Sequence, residues 1–143
     1  MIIAVGSDHR GLTLKNEVRE ILKGMGHTCK DFGCYSEQPV DYPDVAKTLA
    51  EAIVKRECGY GILICGTGIG MSISANKVAG IRAALCFDAL SACRARQHND
   101  ANVLCLGAER EQTVEEIIQL FLTTEFEGGR HQKRLDKIKA MEC

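Results

Sequence analysis

The sequence predicts a Rossmann-like three-layer α/β/α fold with a five-stranded parallel sheet and a C-terminal helix. Five short apolar runs, each a candidate buried strand, alternate with segments in which apolar residues recur at helical spacing. This alternation implies βαβ crossovers and a sheet covered on both faces. A chain of 143 residues has the size of one compact core, so we expect a single domain over residues 1–143.

The predicted strands and helices follow one another in regular order. The strands are the apolar runs at residues 2–5, 28–32, 61–65, 81–87 and 102–106. The first helix lies within residues 12–26, where Leu14, Val18, Ile21, Leu22 and Met25 share a face, and Gly24 and Gly26 are candidates for its C-cap. Further helices are predicted at about 43–56, 69–78, 89–97, 113–124 and 129–141. The non-periodic segment 33–42 is predicted to be a loop at the rim of an active site.

Composition argues against several classes of function. A net charge of -1 provides no bulk attraction to nucleic acid or to an anionic membrane, and no apolar run approaches the ~20 residues of a membrane helix. The start MIIAVGSD lacks the features of a secretory signal, so we expect a cytoplasmic protein whose eight cysteines are reduced. No CxxC pair offers a zinc site, and we predict no metal.

Two groups of polar residues come directly after predicted strands, at the edge where an open α/β sheet builds its site. The first is SDHRG, in which Asp8 and His9 could orient a sugar hydroxyl or contact a phosphate; alternatively, Asp8 is an N-cap and His9 is a solvated side chain. The second is ICGTGIGMS, in which glycines allow backbone N–H groups to approach an anion as a helix begins. Its spacing fits neither the dinucleotide pattern nor a P-loop, which favours a small oxyanion.

Cys65 belongs to this glycine turn, where positively polarised amides favour a thiolate. It could act as a base or a nucleophile, whereas a buried, inert thiol is the alternative for it and the better reading for most of the other cysteines. A third polar group, RARQHNDAN, contains His98 and Asn99, and we expect it to reach the same edge of the sheet and to supply a proton donor. In the last predicted helix, Arg130 and Arg134 share a face that suits a phosphate, although a solvated charged face is equally ordinary.

Together, SDHRG, ICGTGIGMSISANK, RQHNDANVLCLG and EGGRHQKR resemble the family of ribose-5-phosphate isomerase B and the galactose-6-phosphate isomerase subunits, from about residue 3 to 140. The resemblance implies an aldose-ketose isomerase in which Cys65 moves a proton between C1 and C2 while the backbone of Gly66, Gly68, Ile69 and Gly70, assisted by Thr67, holds the enediolate oxygen. It further implies that His98 opens the furanose ring, that Asp8 holds hydroxyls, and that hydroxyls or phosphate are contacted by His9, Asn99, Arg130 and Arg134. It implies no cofactor, and a homodimer or a dimer of dimers whose sites combine residues of two subunits.

One position departs from the family pattern. An arginine is expected two residues after Gly107, where this chain has Glu109, followed by Arg110. Either Arg110 substitutes for it, or phosphate affinity or sugar preference has changed. Open alternatives are therefore an isomerase of allose or galactose 6-phosphate, a subunit of a heteromeric galactose-6-phosphate isomerase, a non-catalytic module that binds a phosphorylated ligand, and a thiol redox protein.

Overall fold

The computed structural model describes residues 1–142 and contains a parallel five-stranded sheet. Its strands are β1 (Ile2–Ser7), β2 (Thr28–Asp31), β3 (Tyr60–Cys65), β4 (Ala83–Leu85) and β5 (Val103–Gly107), in the spatial order β2-β1-β3-β5-β4. The helices are α1 (Leu12–Gly24), α2 (Tyr42–Val54), α3 (Ile69–Ala75), α4 (Ala89–Asn99), α5 (Val114–Thr123) and α6 (Arg130–Ala140), with a 3-10 turn at His9–Gly11. The predicted fold class is confirmed.

Predicted and observed bounds differ mainly at the ends of helices. The first helix ends at Gly24, with Met25 as its C-cap, and Gly26 follows with a φ of 86°. Helix α4 continues two residues past the predicted end, so that His98 and Asn99 lie in its last turn instead of in a loop. Asp100 then ends the helix in the left-handed conformation, with a φ of 44°.

The core lies on both faces of the sheet because successive strand side chains alternate between them. On one face, the strands pack against α1, α4 and α5, whose buried residues include Leu22, Ala92 and Phe121. On the other face, they pack against α2 and α3, through residues such as Leu49 and Met71. These are the two helical layers that the sequence predicts.

The strand register determines which residues meet at the carboxyl edge of the sheet. Ser7 of β1 lies opposite Ile64 of β3, and Cys65 lies opposite Gly107 of β5. From β1, the chain continues to β2 on one side, whereas the strands after β3 lie on the other side. The crevice between β1 and β3 is therefore the position at which open α/β sheets bind ligands.

A buried ion pair anchors the loop between β2 and α2. The side chain of Lys15 is 1% exposed, and its Nζ donates to Asp31 Oδ1 at 2.8 Å and to Oδ2 at 2.9 Å. Lys15 Nζ also donates to the carbonyl oxygen of Cys34, and Gly33 N–H donates to Asp31 Oδ1 at 2.8 Å. The start of the loop is thus tied to α1. In residues 1–142, no helix has the length and apolar character needed to cross a membrane.

Candidate active site

Asp8 and Cys65 follow or end adjacent strands at the carboxyl edge, as the sequence predicts. Asp8 is 6% exposed and Cys65 is 5% exposed. Asp8 Oδ1 accepts hydrogen bonds from Arg10 N–H and Gly11 N–H, both at 3.0 Å, so the N-cap interpretation of Asp8 is confirmed. Within residues 1–142, Oδ2 of Asp8 has no hydrogen-bond partner, which leaves an acceptor for a ligand hydroxyl.

The glycine turn after Cys65 folds back over the thiol. Gly68 has a φ of 78°, a left-handed conformation that favours glycine, and its N–H donates to Cys65 Sγ at 3.1 Å. Thr67 Oγ1 accepts from Ile69 N–H at 3.2 Å, so the hydroxyl proton of Thr67 remains free to be donated. In the described part of the chain, the N–H groups of Thr67 and Gly70 have no partner. The turn therefore directs several donors to the space beside the thiol.

The rim loop contributes two further contacts that the sequence did not reveal. A Cβ on Gly70 would lie 2.5 Å from Cε1 of Tyr42, so the first residue of α2 packs its ring directly on the turn. Val40 N–H donates to His9 Nδ1 at 3.3 Å, which leaves Nε2 of the neutral imidazole as the protonated nitrogen. A tyrosine at the start of a predicted helix carries no signal of its own for such a contact.

His98 and Asn99 do not reach this edge within one copy of the chain, and that expectation was wrong. Helix α4 starts beyond the carboxyl end of β4 and leads back to the amino end of β5, and both residues lie in its last turn. The five residues of β5 separate that end from Gly107, which corresponds to about 13 Å at ~3.3 Å per residue. The polar residues of the site thus form two groups at opposite edges of the sheet.

The group at the amino edge is built around a histidine pair. The rings of His98 and His131 stack with centroids 4.3 Å apart and an interplanar angle of 16°. His131 Nε2 is buried without a hydrogen-bond partner, and Glu127 Oε2 lies 3.6 Å from it. Burial, followed by the charges of Arg130 and His98, lowers the pKa of His131. A neutral imidazole therefore supports the ring of His98.

These residues offer the donor atoms of a metal site, with ligand atoms of His98, Glu127 and His131 within 4.8 Å of one another. The two imidazoles lie nearly face to face, however, and their nitrogen lone pairs lie in the ring planes. One ring would have to turn before both could bind a single ion. The prediction that the protein uses no metal stays a prediction.

Arg130 and Arg134 lie one turn apart in α6, both exposed, as the sequence predicts. Neither forms a salt bridge with any of residues 1–142. His131, between them in sequence, is buried, so α6 turns its arginines outwards beside His98. Two unpaired guanidiniums next to an imidazole form a surface suited to an anion.

The second cysteine close to the turn is on β5. Cys105 is fully buried, and its pKa is raised by that burial and also by the neighbouring thiols Cys65 and Cys86. A thiol that resists ionisation is a poor partner for disulfide exchange. The cysteines at positions 29, 34, 58, 65, 86, 93 and 105 are all free thiols. This arrangement favours the isomerase interpretation of Cys65 over the redox interpretation.

Comparison with known proteins gives the family. The family model described as Ribose/Galactose Isomerase matches residues 3–138. The chain is 45% identical over 142 residues to ribose-5-phosphate isomerase B of Escherichia coli, a match that covers 98% of this chain and 95% of that protein. It is 48% identical over 140 residues to D-erythrulose-4-phosphate isomerase of Pectobacterium atrosepticum, which covers 95% of this chain and 91% of that protein.

Solved structures agree with this assignment. Ribose-5-phosphate isomerase B of Clostridium thermocellum superposes with a TM-score of 0.94 at 48% identity, covering 99% of this chain and 97% of that one. The enzyme of Mycoplasma genitalium with bound ribulose 5-phosphate superposes with a TM-score of 0.91 at 45% identity, covering 97% and 94%. The chain described here belongs to the ribose/galactose isomerase family and is an enzyme of the sugar-phosphate isomerase type.

Proposed function

We propose that this chain, acting as one isomerase domain, interconverts ribose 5-phosphate and ribulose 5-phosphate through a cis-enediolate, without metal or organic cofactor. This is a reaction of the pentose phosphate pathway. The observation that carries the proposal is the position of Cys65, whose thiol accepts a hydrogen bond from Gly68 N–H beside the free oxygen of Asp8. Relatives named ribose-5-phosphate isomerase B support the choice of sugar.

The chemistry requires a base beside a pocket that stabilises negative charge on oxygen. The thiolate of Cys65 removes the proton from C2 of the open-chain aldose, and the electron pair moves to form the enediolate. Thr67 O–H and the free N–H groups of Thr67 and Gly70 stabilise the oxygen that gains charge. The thiol then returns the proton to C1 as the O2 proton moves to O1, which gives the ketose.

The rest of the carboxyl edge holds the sugar. Oδ2 of Asp8 accepts a hydroxyl, and Nε2–H of His9 donates to a hydroxyl or phosphate oxygen. The backbone of Gly66, Gly68 and Ile69 forms the floor of the pocket. Because both oxygens of Asp8 are then occupied, the sugar is oriented by a group that the fold already holds rigid.

The remaining functions come from a second copy of the chain. His98, Asn99, Arg130 and Arg134 lie at the opposite edge, so two copies arranged about a two-fold axis place one group of each beside the other group of its partner. His98 then opens the furanose ring, while Asn99 and the two arginines bind hydroxyls and phosphate. Exposed apolar side chains on the helices near both groups supply contact surface for a homodimer or a dimer of dimers: Ile69, Ile73, Leu90, Ile138 and Met141.

The reaction and its base are tested by steady-state turnover. Ribose 5-phosphate is compared with erythrulose 4-phosphate, allose 6-phosphate and galactose 6-phosphate, for the wild type, Cys65→Ala and the control Cys29→Ala. We expect turnover of ribose 5-phosphate that is lost in Cys65→Ala and kept in Cys29→Ala, whose thiol is half-buried on β2. Equal activity of the two variants would exclude Cys65 as the base.

The role of His98 is tested with a substrate that has no ring to open. Erythrose 4-phosphate cannot close a furanose, because its O4 carries the phosphate. His98→Asn should therefore reduce turnover of ribose 5-phosphate far more than turnover of erythrose 4-phosphate. A similar loss with both substrates would place His98 in the proton transfer itself or in binding.

The composite site is tested by mixing two inactive variants. If Cys65 and His98 act from different copies, unfolding and refolding Cys65→Ala together with His98→Asn produces mixed dimers with one intact site. Random pairing would restore about a quarter of wild-type activity. No recovery would show that each site is complete within one chain.

Other substrate outcomes are equally informative. A preference for a hexose or tetrose phosphate would keep the enzyme class and change the sugar, which is why the panel includes the substrate named for the Pectobacterium relative. Binding without turnover of any sugar phosphate would indicate a phospholigand-binding module.

A further inference from the structure

An ion pair lies at the mouth of the glycine turn. Nη1 of Arg10 donates to Oε1 of Glu109 at 3.1 Å, and the two side chains are 65% and 55% exposed. A Cβ built on Gly66 would lie 2.8 Å from Glu109 Oε1 and 3.1 Å from Cδ of Arg10. Both side chains therefore rest on the backbone of the residue that follows Cys65.

Stability does not explain this pair, because exposed ion pairs contribute only about 0–1 kcal/mol. Its position relates it to the ligand instead. In residues 1–142, Nε and Nη2 of Arg10 have no hydrogen-bond partner. A guanidinium with one nitrogen held and two donors free is prepared to bind a planar or tetrahedral oxyanion at two points.

Arg110 does not occupy this place. Its guanidinium carbon lies 4.9 Å from the ring centroid of Phe87, above that ring. The hypothesis that Arg110 replaces the arginine expected at position 109 is therefore not favoured by the geometry. The tip of the Glu109 side chain, in contrast, is in contact with the guanidinium of Arg10, so a cation from position 10 occupies the space that a side chain at position 109 reaches.

We propose that Arg10 binds the substrate phosphate and that Glu109 positions its guanidinium. Arg10 is the arginine that borders the turn from within the same copy, so it complements the anion-binding residues of α6. Glu109 holds Nη1 and leaves the other donors directed to the ligand. This inference rests on the proposed function, since it assigns a residue to the same site.

Kinetics and phosphate binding test the proposal together. Arg10→Ala should raise KM about tenfold or more, with kcat within about threefold, because phosphate binding is shared by the ground and transition states. The inhibition constant of inorganic phosphate should rise by a similar factor. Arg10→Lys should recover part of the affinity, because an ammonium keeps the charge but not the two-point geometry. Arg19→Ala, which removes an exposed arginine of α1, is the matched control and should leave KM unchanged.

A transplant provides the sharpest test of position. In Arg10→Ala, the carboxylate of Glu109 is left unpaired and repels the phosphate, so adding Glu109→Gln should lower KM again. Adding Glu109→Arg to Arg10→Ala should return KM to within about threefold of wild type. A purely structural role of the ion pair would not be restored by an arginine that has no partner.

Three results would overturn the inference. They are an unchanged KM and phosphate inhibition constant in Arg10→Ala, a loss confined to kcat, or a rise in KM in Arg110→Ala without one in Arg10→Ala. If the wild type turns over none of the sugar phosphates, the proposed function fails. Calorimetric titration with inorganic phosphate then decides the role of Arg10: weaker binding in Arg10→Ala supports it, and equal binding refutes it.

Discussion

Replacing Lys15 by Met tests the buried ion pair that ties the rim loop to α1. The substitution keeps much of the side-chain volume and removes the ammonium that binds Asp31 and the Cys34 carbonyl. Breaking a buried pair by removing one partner costs about 3–5 kcal/mol. Asp31 keeps the N–H of Gly33 at 2.8 Å and the guanidinium of Arg19 at 3.4 Å. We therefore expect the low end of that range, about 3 kcal/mol.

Urea denaturation measures this loss. With a slope of about 2 kcal/mol per molar, the midpoint should fall by about 1.5 M without a change in slope. The matched control is Lys30→Met, because Lys30 is 53% exposed and pairs with Glu57 at 3.5 Å, and it should change stability by less than about 0.5 kcal/mol. Adding Asp31→Asn to Lys15→Met removes the uncompensated charge and should recover about half of the loss. Equal midpoints for Lys15→Met and Lys30→Met would refute the reasoning.

Three further predictions concern the metal, the pH dependence and the turn. Dialysis against EDTA should leave turnover unchanged, whereas a loss reversed by added Zn²⁺ would show that His98, Glu127 and His131 hold a functional ion. Because the folded protein lowers the pKa of His131, the unfolded chain binds more protons as pH falls through about 6.5; the free energy of unfolding should thus decrease with falling pH less steeply in His131→Asn than in the wild type, and equal slopes would contradict this. Gly70→Ala should cost about 1–3 kcal/mol in urea denaturation because its Cβ would overlap the Tyr42 ring, and adding Tyr42→Ala should relieve that overlap; no relief would place the strain elsewhere.

The strands and most helices follow from apolar spacing, because each buried element of this fold must present a continuous apolar surface. The end of α4 does not follow, since its buried face consists of small residues such as Ala92 and Ala95 and its last turn is polar. A polar segment before a strand resembles a loop in sequence. Only the backbone hydrogen bonds distinguish the two.

The placement of His98 shows a different limit. The motif is adjacent in sequence to β5, which suggested that it shares an edge with the motif after β3. In a parallel sheet, however, each helix carries the chain from the carboxyl edge back to the amino edge, so residues just before a strand and just after one lie on opposite sides. Direction of travel, and not proximity in sequence, decides the edge.

The contacts around the turn could not be obtained from one sequence. Arg10 and Glu109 are separated by 99 positions, and their pairing depends on β1, β3 and β5 lying side by side. Arg10 lies within the motif SDHRG, but nothing in that motif indicates the direction of its side chain. The sequence predicts which residues are near the edge, and the register then determines which of them meet.

The separation of the polar residues into two groups also bears on how such a gene can diversify. If each site takes one group from each copy, duplication of the gene frees one duplicate to lose the Cys65 turn and the other to lose the His98 group, while the mixed pair keeps one complete site. Division of labour between unequal subunits then needs no new binding surface. In such a pair, loss of residues that are essential in a homodimer is tolerated, and the activity of each gene product depends on the presence of the other.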